Sequence, residues 1–157
     1  MYNKKLNGKG YDENANVIYE LINGIGKIKE YKYGELIFEG EYLNGKRNGK
    51  GKEYNDNGEL IFEGEYLNGK RNGKGKEYND DDGKLIFEGE YLNGEKNGKG
   101  KEYNRLGNLI FEGEYLNGKR KGKGKVYNEF NGKLIFEGEY LNGKKKEKGK
   151  NMIALVI

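Results

Sequence analysis

Carboxylates two residues apart, facing lysines, are the first feature of this sequence that could do chemistry. Glu39 and Glu41 recur as Glu63/Glu65, Glu88/Glu90, Glu112/Glu114 and Glu137/Glu139. Paired carboxylates carry the acid–base work of glycoside hydrolysis, but such work needs one distinct, enclosed site. Here the pair returns in every unit, so it reads as a charged surface and not as a catalytic dyad. Asp80-Asp81-Asp82-Gly83 invites a calcium reading. Placing Gly83 at the sixth position of an EF-hand frame puts Tyr78 at the first and Gly89 at the twelfth, and neither supplies the needed carboxylate. The segment reads instead as an Asp-rich turn. Gly45-Lys46-Arg47-Asn48-Gly49-Lys50-Gly51 is basic and Gly-rich, yet it lacks P-loop spacing and the Ser/Thr that follows Gly-Lys there.

Cations form a second pattern. Lys46-Arg47, Lys70-Arg71, Lys119-Arg120-Lys121 and Lys144-Lys145-Lys146 each follow an Asn-Gly, and Glu95-Lys96 interrupts the row. A row of basic tips suits acidic lipid headgroups or another polyanion. Lys46, Arg47, Lys70, Arg71, Lys119, Arg120, Lys121, Lys144, Lys145 and Lys146 are therefore the candidate anionic-lipid contacts. The competing reading is a solvated lysine-rich surface. Aromatics could assist nucleic-acid stacking, but here they are committed to packing between units, which disfavours a nucleic-acid partner.

The missing residue types exclude more than the present ones suggest. The 157 residues include no Cys, His, Pro, Trp, Ser, Thr or Gln. The usual activated nucleophiles, the commonest general base and the commonest metal ligand are all absent. No disulfide can form. The expectation is a protein that is not an enzyme, with no catalytic or metal-ligating residues and no cofactor. The opening residues lack an apolar run of signal-peptide length, and residues 152–157 are too few to span a bilayer. A soluble, cytoplasmic protein is expected, with room for peripheral attachment to a membrane or the cytoskeleton.

What positions these charges is a repeat. Leu36-Ile37-Phe38-Glu39-Gly40-Glu41-Tyr42-Leu43-Asn44-Gly45 returns unchanged at 60–69, 85–94, 109–118 and 134–143, with the phenylalanines 24 or 25 residues apart. A fixed period of this size means a repeat architecture. Each unit reads as a β-hairpin. Residues 36–43 alternate apolar and charged, Asn44-Gly45 is a strong hairpin turn, residues 48–54 return, and 55–58 turn into the next unit. A two-residue closure puts Gly40 opposite Gly49, and a four-residue closure puts it opposite Gly51. Either way Phe38, Gly40, Tyr42, Gly49 and Gly51 share one face. Ile37, Glu39, Glu41, Leu43, Lys50, Lys52 and Tyr54 share the other, as a Glu–Lys ladder. Glycine beneath aromatic rings points to rings packing from unit to unit. Those rings are Phe38, Tyr42, Phe62, Tyr66, Phe87, Tyr91, Phe111, Tyr115, Phe136 and Tyr140. No single unit buries enough to fold alone, so stability must rise with repeat number.

The ends depart from the pattern. Residues 1–35 hold worn or partial units, in Leu6-Asn7-Gly8-Lys9-Gly10-Tyr11 and in Asn23-Gly24-Ile25-Gly26 followed by Lys29-Glu30-Tyr31, either as a cap or as part of a longer array. Residues 36–150 hold five tandem units. In the fifth, Glu147 stands where the others have Gly49, Gly73, Gly98 and Gly122, and an apolar tail, 151–157, could add a covering strand. Residues 119–150 carry 11 Lys/Arg against 4 Asp/Glu, a net of +7, while the whole chain is only +4. That basic end favours an anionic partner.

Phe-Glu-Gly-Glu-Tyr, Leu-Asn-Gly and then Gly-Lys-Gly closely resembles the MORN repeat, fully over 36–143, poorly over 144–150 and in fragments before. Asn48 stands where that family often has His, and the units are one or two residues longer. The resemblance implies an all-β fold: an elongated, twisted, single-layer antiparallel sheet of stacked β-hairpins. It also implies non-enzymatic scaffolding, through contact with protein partners and dimerisation, and in some members through attachment to acidic phospholipid.

Overall fold

The computed structural model describes residues 7–146 and the backbone of 150–151. The tail expected to add a covering strand lies, from 152 onward, outside the described residues. Those residues form one open antiparallel sheet of fourteen strands and no helix. In chain order these are β1 (Gly8–Tyr11), β2 (Val17–Ile22), β3 (Ile25–Lys32), β4 (Glu35–Leu43), β5 (Lys46–Tyr54), β6 (Leu60–Leu67), β7 (Lys70–Tyr78), β8 (Leu85–Leu92), β9 (Glu95–Tyr103), β10 (Leu109–Leu116), β11 (Lys119–Tyr127), β12 (Leu134–Leu141), β13 (Lys144–Lys145) and β14 (Lys150–Asn151). Each strand from β1 to β13 pairs with its neighbour in sequence, and β14 pairs with β12. At ~4.8 Å per strand the ribbon is about 60 Å long.

Both hairpin closures allowed by the sequence occur together. Asn44 and Gly45 have φ of 50° and 76°, a turn of type I′, and Leu43 pairs with Lys46. Four residues on, Gly40 faces Gly51, because two extra residues bulge from β5. The return strand therefore starts at Lys46, two residues before the expected Asn48. The bulge also corrects the expected position of Gly49. Its φ of 92° turns its Cβ direction away from the rings and onto the Glu41 side chain. The Glu41 carboxylate fills the bulge and accepts the backbone N–H of Lys50 at 3.1 Å. Glu65 and Glu90 do the same for Lys74 and Lys99 at 2.9 and 3.2 Å.

The inter-hairpin turns absorb the uneven spacing. Asn55 Oδ1 accepts the N–H groups of Asn57 and Glu59, while Asn79 Oδ1 accepts those of Asp81 and Asp82 in a turn one residue longer. An Asn at the head of each turn satisfies the local backbone whatever the length. Tip turns are also tied to the preceding unit: Gly69 N–H donates to the Arg47 carbonyl at 2.8 Å, and Gly94, Gly118 and Gly143 repeat the contact.

The core is a chain of rings on one face. Phe38 meets Tyr42 at 6.0 Å within its unit and Tyr66 at 5.3 Å in the next, and the zigzag runs on through Phe62, Tyr91, Phe87, Tyr115, Phe111 and Tyr140 to Phe136. Every contact is edge-to-face, the geometry the ring quadrupole favours. The rings lie on glycine. A Cβ at Gly51 would sit 2.5 Å from Phe38 and 3.1 Å from Tyr66. Toward the N-terminus the pattern stops. Ile28, not glycine, pairs with Gly40, and the segment from Asn23 to Gly26 is two residues shorter than Asn44 to Gly49, so β2 and β3 pair without a bulge.

Gly75→Ala places a methyl 2.5 Å from Phe62 and 3.1 Å from Tyr91. It is expected to destabilise the array by about 1–3 kcal/mol, the usual cost of overpacking. Gly58→Ala, whose Cβ meets nothing within 4 Å, carries only the strain of a φ of 77°. Chemical denaturation of the two variants checks the difference.

Candidate interaction surfaces

The two faces of the sheet differ in how their charges are used. On the ring face, Arg47, Arg71 and Arg120 lie with their guanidinium carbons 3.9 Å from the centres of Phe38, Phe62 and Phe111. Lys96 and Lys145 take the same place over Phe87 and Phe136 at 3.9 and 4.3 Å. Phe38, Phe62, Phe87 and Phe111 are thus held between glycine and a cation. Of the ten cations read from the sequence as lipid contacts, the three arginines are half-buried and engaged here. Lys145 joins them over its ring, and Lys146 is held by Glu139 at 2.7 Å. Lys46, Lys70, Lys119, Lys121 and Lys144 are exposed. The four tip lysines among them stand opposite Leu43, Leu67, Leu116 and Leu141.

A carboxylate missed in the sequence reading locks each arginine. Glu53 pairs with both Phe38 and Phe62, so it stands on the ring face. It accepts the Tyr66 hydroxyl at 2.5 Å and Arg71 Nε and Nη2 at 3.1 and 2.7 Å. Glu102 holds Tyr115 and Arg120 in the same way, and Glu30 holds Tyr42 and Arg47. Such bidentate, charge-assisted contacts are the strong ones. Hydrogen bonds from Arg47 lead the lowering of the Glu30 carboxyl. Burial pushes Glu53 and Glu102 up, and their arginines and tyrosines outweigh it, leaving both below the usual range. Parity gave the signal: Glu53 is two residues from Gly51, and a two-residue turn puts Arg47 opposite Tyr42.

Two units break this lock, and they are the two with lysine over the ring. Lys96 takes Glu77 at 2.7 Å, and the buried Tyr91 hydroxyl has no hydrogen-bond partner among the described residues. In the fifth unit Val126 replaces the carboxylate altogether, and the Tyr140 hydroxyl is likewise unpartnered. Lysine has no fork to share between a carboxylate and its tyrosine.

The opposite face lines a trough of about 1700 Å³ from Val17 to Glu139. Its floor is a column of backbone at Gly40, Gly51, Gly64, Gly75 and their successors. Rows of alternating Glu and Lys flank it, with Glu39 opposite Lys52 and Lys52 opposite Glu63. The expected ladder is therefore present in register, but most of its bonding is not Glu to Lys. Glu39, Glu63, Glu88 and Glu112 accept the hydroxyls of Tyr54, Tyr78, Tyr103 and Tyr127 at 2.6–2.7 Å. The ion pairs Lys76–Glu63, Lys101–Glu88 and Lys125–Glu112 are longer, at 3.6–3.8 Å, and half exposed. Pairs of that kind contribute under ~1 kcal/mol, so the trough lysines are loosely held, while its glutamates are engaged by tyrosine hydroxyls or, at Glu41, Glu65 and Glu90, by backbone N–H groups. Among the described residues no cluster of acidic side chains could hold a metal, and no helix is long and apolar enough to cross a membrane.

Two predictions follow from these bonds. Lys96→Arg rebuilds the fork beside Glu77 and should raise stability by about 1 kcal/mol, while Arg71→Lys should lower it by a similar amount; thermal denaturation reads both. The pH profile should fall at each end. Depressed Glu30, Glu53 and Glu102 contribute stability above the ordinary carboxyl pKa of 4.5 that is lost as pH falls through their lower folded values. Burial, then the partner carboxylates, push Tyr42, Tyr78, Tyr103 and Tyr127 up to about 12. Their contribution is complete below pH 10 and fades as pH climbs toward 12, which tyrosinate absorbance follows directly.

A family model described as MORN repeat matches five tandem segments, residues 38–59, 62–83, 87–104, 111–127 and 136–150. Together they cover more than half of the chain. Among curated proteins none matches.

Proposed function

The chain belongs to the MORN-repeat family, and from that premise we propose that it is a non-catalytic scaffold whose trough takes an extended segment of a protein partner. The observation that carries this reading is the trough itself. It runs the length of the array and offers the same Glu, Lys and glycine backbone at each unit, about 10 Å apart for two strands. A partner with charges of both signs at a matching interval gains many weak contacts in one register. Repetition without a distinct enclosed site argues for recognition and against turnover.

A second reading has its own support. The exposed tip lysines stand opposite Leu43, Leu67, Leu116 and Leu141, which are 39–50% exposed. Cations beside uncovered leucines suit the surface of an acidic bilayer, and would make the protein a membrane-surface adaptor. Pairing of an exposed end strand with a second copy is compatible with either reading.

Changing Glu63, Glu88 and Glu112 together to Lys tests the trough. Folding should survive, and the partners that cross-link to the unaltered chain should be lost while vesicle binding is not. Retention of those partners contradicts the trough reading. Flotation with phosphatidylserine vesicles that is abolished by Lys46→Glu, Lys70→Glu and Lys119→Glu selects the membrane reading.

A further inference from the structure

The fifth unit lacks the acidic half of a motif that the other units complete. In units one to four the cation over the phenylalanine has a glutamate on the preceding strand: Glu30, Glu53, Glu77 and Glu102, for Arg47, Arg71, Lys96 and Arg120. In the fifth, the residue paired with Phe136 on that side is Val126. On the other side, where Glu77 pairs with Phe62, Phe136 pairs with Asn151. Neither position carries a carboxylate. Lys145 nevertheless sits over the Phe136 ring at 4.3 Å. Tyr140, only 3% exposed, has a hydroxyl with no hydrogen-bond partner among the described residues. The Arg120 guanidinium lies 5.8 Å from the Tyr140 ring, and Lys119, Lys121 and Lys144 are exposed nearby in sequence. A buried donor without an acceptor is costly, and here it stands beside a cation in a stretch whose net charge is +7.

We infer that this place is a binding site for a carboxylate supplied by a protein partner, a Glu or Asp side chain of an acidic segment that stands in for the glutamate absent at Val126. The internal copies define what fits. Glu53 and Glu102 each accept a tyrosine hydroxyl and a ring-stacked cation at once, and an incoming carboxylate would meet the exposed Lys145 first, the Tyr140 hydroxyl beneath it being closed to solvent until the carboxylate docks. Charge-assisted bonds of this sort fix orientation as well as adding affinity. The surrounding lysines draw an acidic segment toward the end of the ribbon by long-range attraction. The site lies on the ring face, so it rests on the scaffold reading but not on the trough.

The test uses the full chain and a capped hexaglutamate peptide, followed by titration calorimetry. Val126→Glu supplies the missing carboxylate internally and should weaken peptide binding tenfold or more while raising thermal stability. Lys145→Met keeps the stem over Phe136 without the charge and should weaken binding to a similar degree. Lys32→Gln, on β3 toward the other end of the ribbon, changes net charge by the same amount far from the site and should change binding less than twofold. Equal losses in all three variants would mean a diffuse basic surface and overturn the site. So would unchanged binding in Val126→Glu, or binding of phosphatidylserine vesicles without binding of the peptide. Loss of partners in the trough variants with hexaglutamate binding intact separates failure at one surface from failure at the other.

Discussion

A phenylalanine must be buried on a sheet that has no second layer to cover it. The rest of this structure follows from how that is done. Ordinary sheets bury one face against another sheet or a helix. Here the ring drops onto glycine, where no Cβ holds it off, and an arginine or lysine closes over its other side. Tyrosines from the same unit and the next close the edges. Each edge-to-face pair contributes about 0.5–1.5 kcal/mol beyond the area it buries, and a desolvated cation over a ring about as much again. These exceed the half-exposed ion pairs of the opposite face, so the ring chain and not the Glu–Lys ladder is what joins the units.

That division leaves one face outside the packing of the units. Arginine fork, tyrosine hydroxyl and glutamate satisfy one another on the ring face and leave little to offer a ligand where all three are present. On the other face the backbone of the glycine column is open and the lysines are lightly paired. Among the five full units length variation is confined to the inter-hairpin turns, where Asn55, Asn79, Asn104 and Asn128 carry local hydrogen bonds that suit either loop length. Neither face has to adjust when a unit gains a residue.

The fold was legible because period, parity and turn chemistry agree. Phe, Gly and Tyr two residues apart, with Asn-Gly one residue beyond Leu43, leave little freedom in the hairpin. The bulge was not legible as such: the sequence allowed two closures, and nothing in a count of residues says that one holds at the tip and the other in the body of the hairpin. Strict alternation consequently puts Gly49 on the wrong face, because it fails where φ turns positive. The arginines looked like free tip charges because their neighbours, such as Lys46 and Lys70, are. Their stems reach back over a ring, and only the pairing of Arg47 with Tyr42 reveals it. The orphaned hydroxyl of Tyr140 could be found in the sequence only by knowing that Val126 occupies a glutamate position.

The central claim is that contact between rings of successive hairpins makes the array one cooperative body. Amide hydrogen exchange on the unaltered chain and on Phe87→Leu measures it most directly. Removing the middle ring weakens its contacts with both Tyr91 and Tyr115. In the unaltered chain the amides of β4 through β12 should share one opening free energy, and in the variant they should separate into two groups on either side of β8. Hairpins that already exchange with independent free energies in the unaltered chain, or a variant that loses protection only within its own hairpin, would contradict the account.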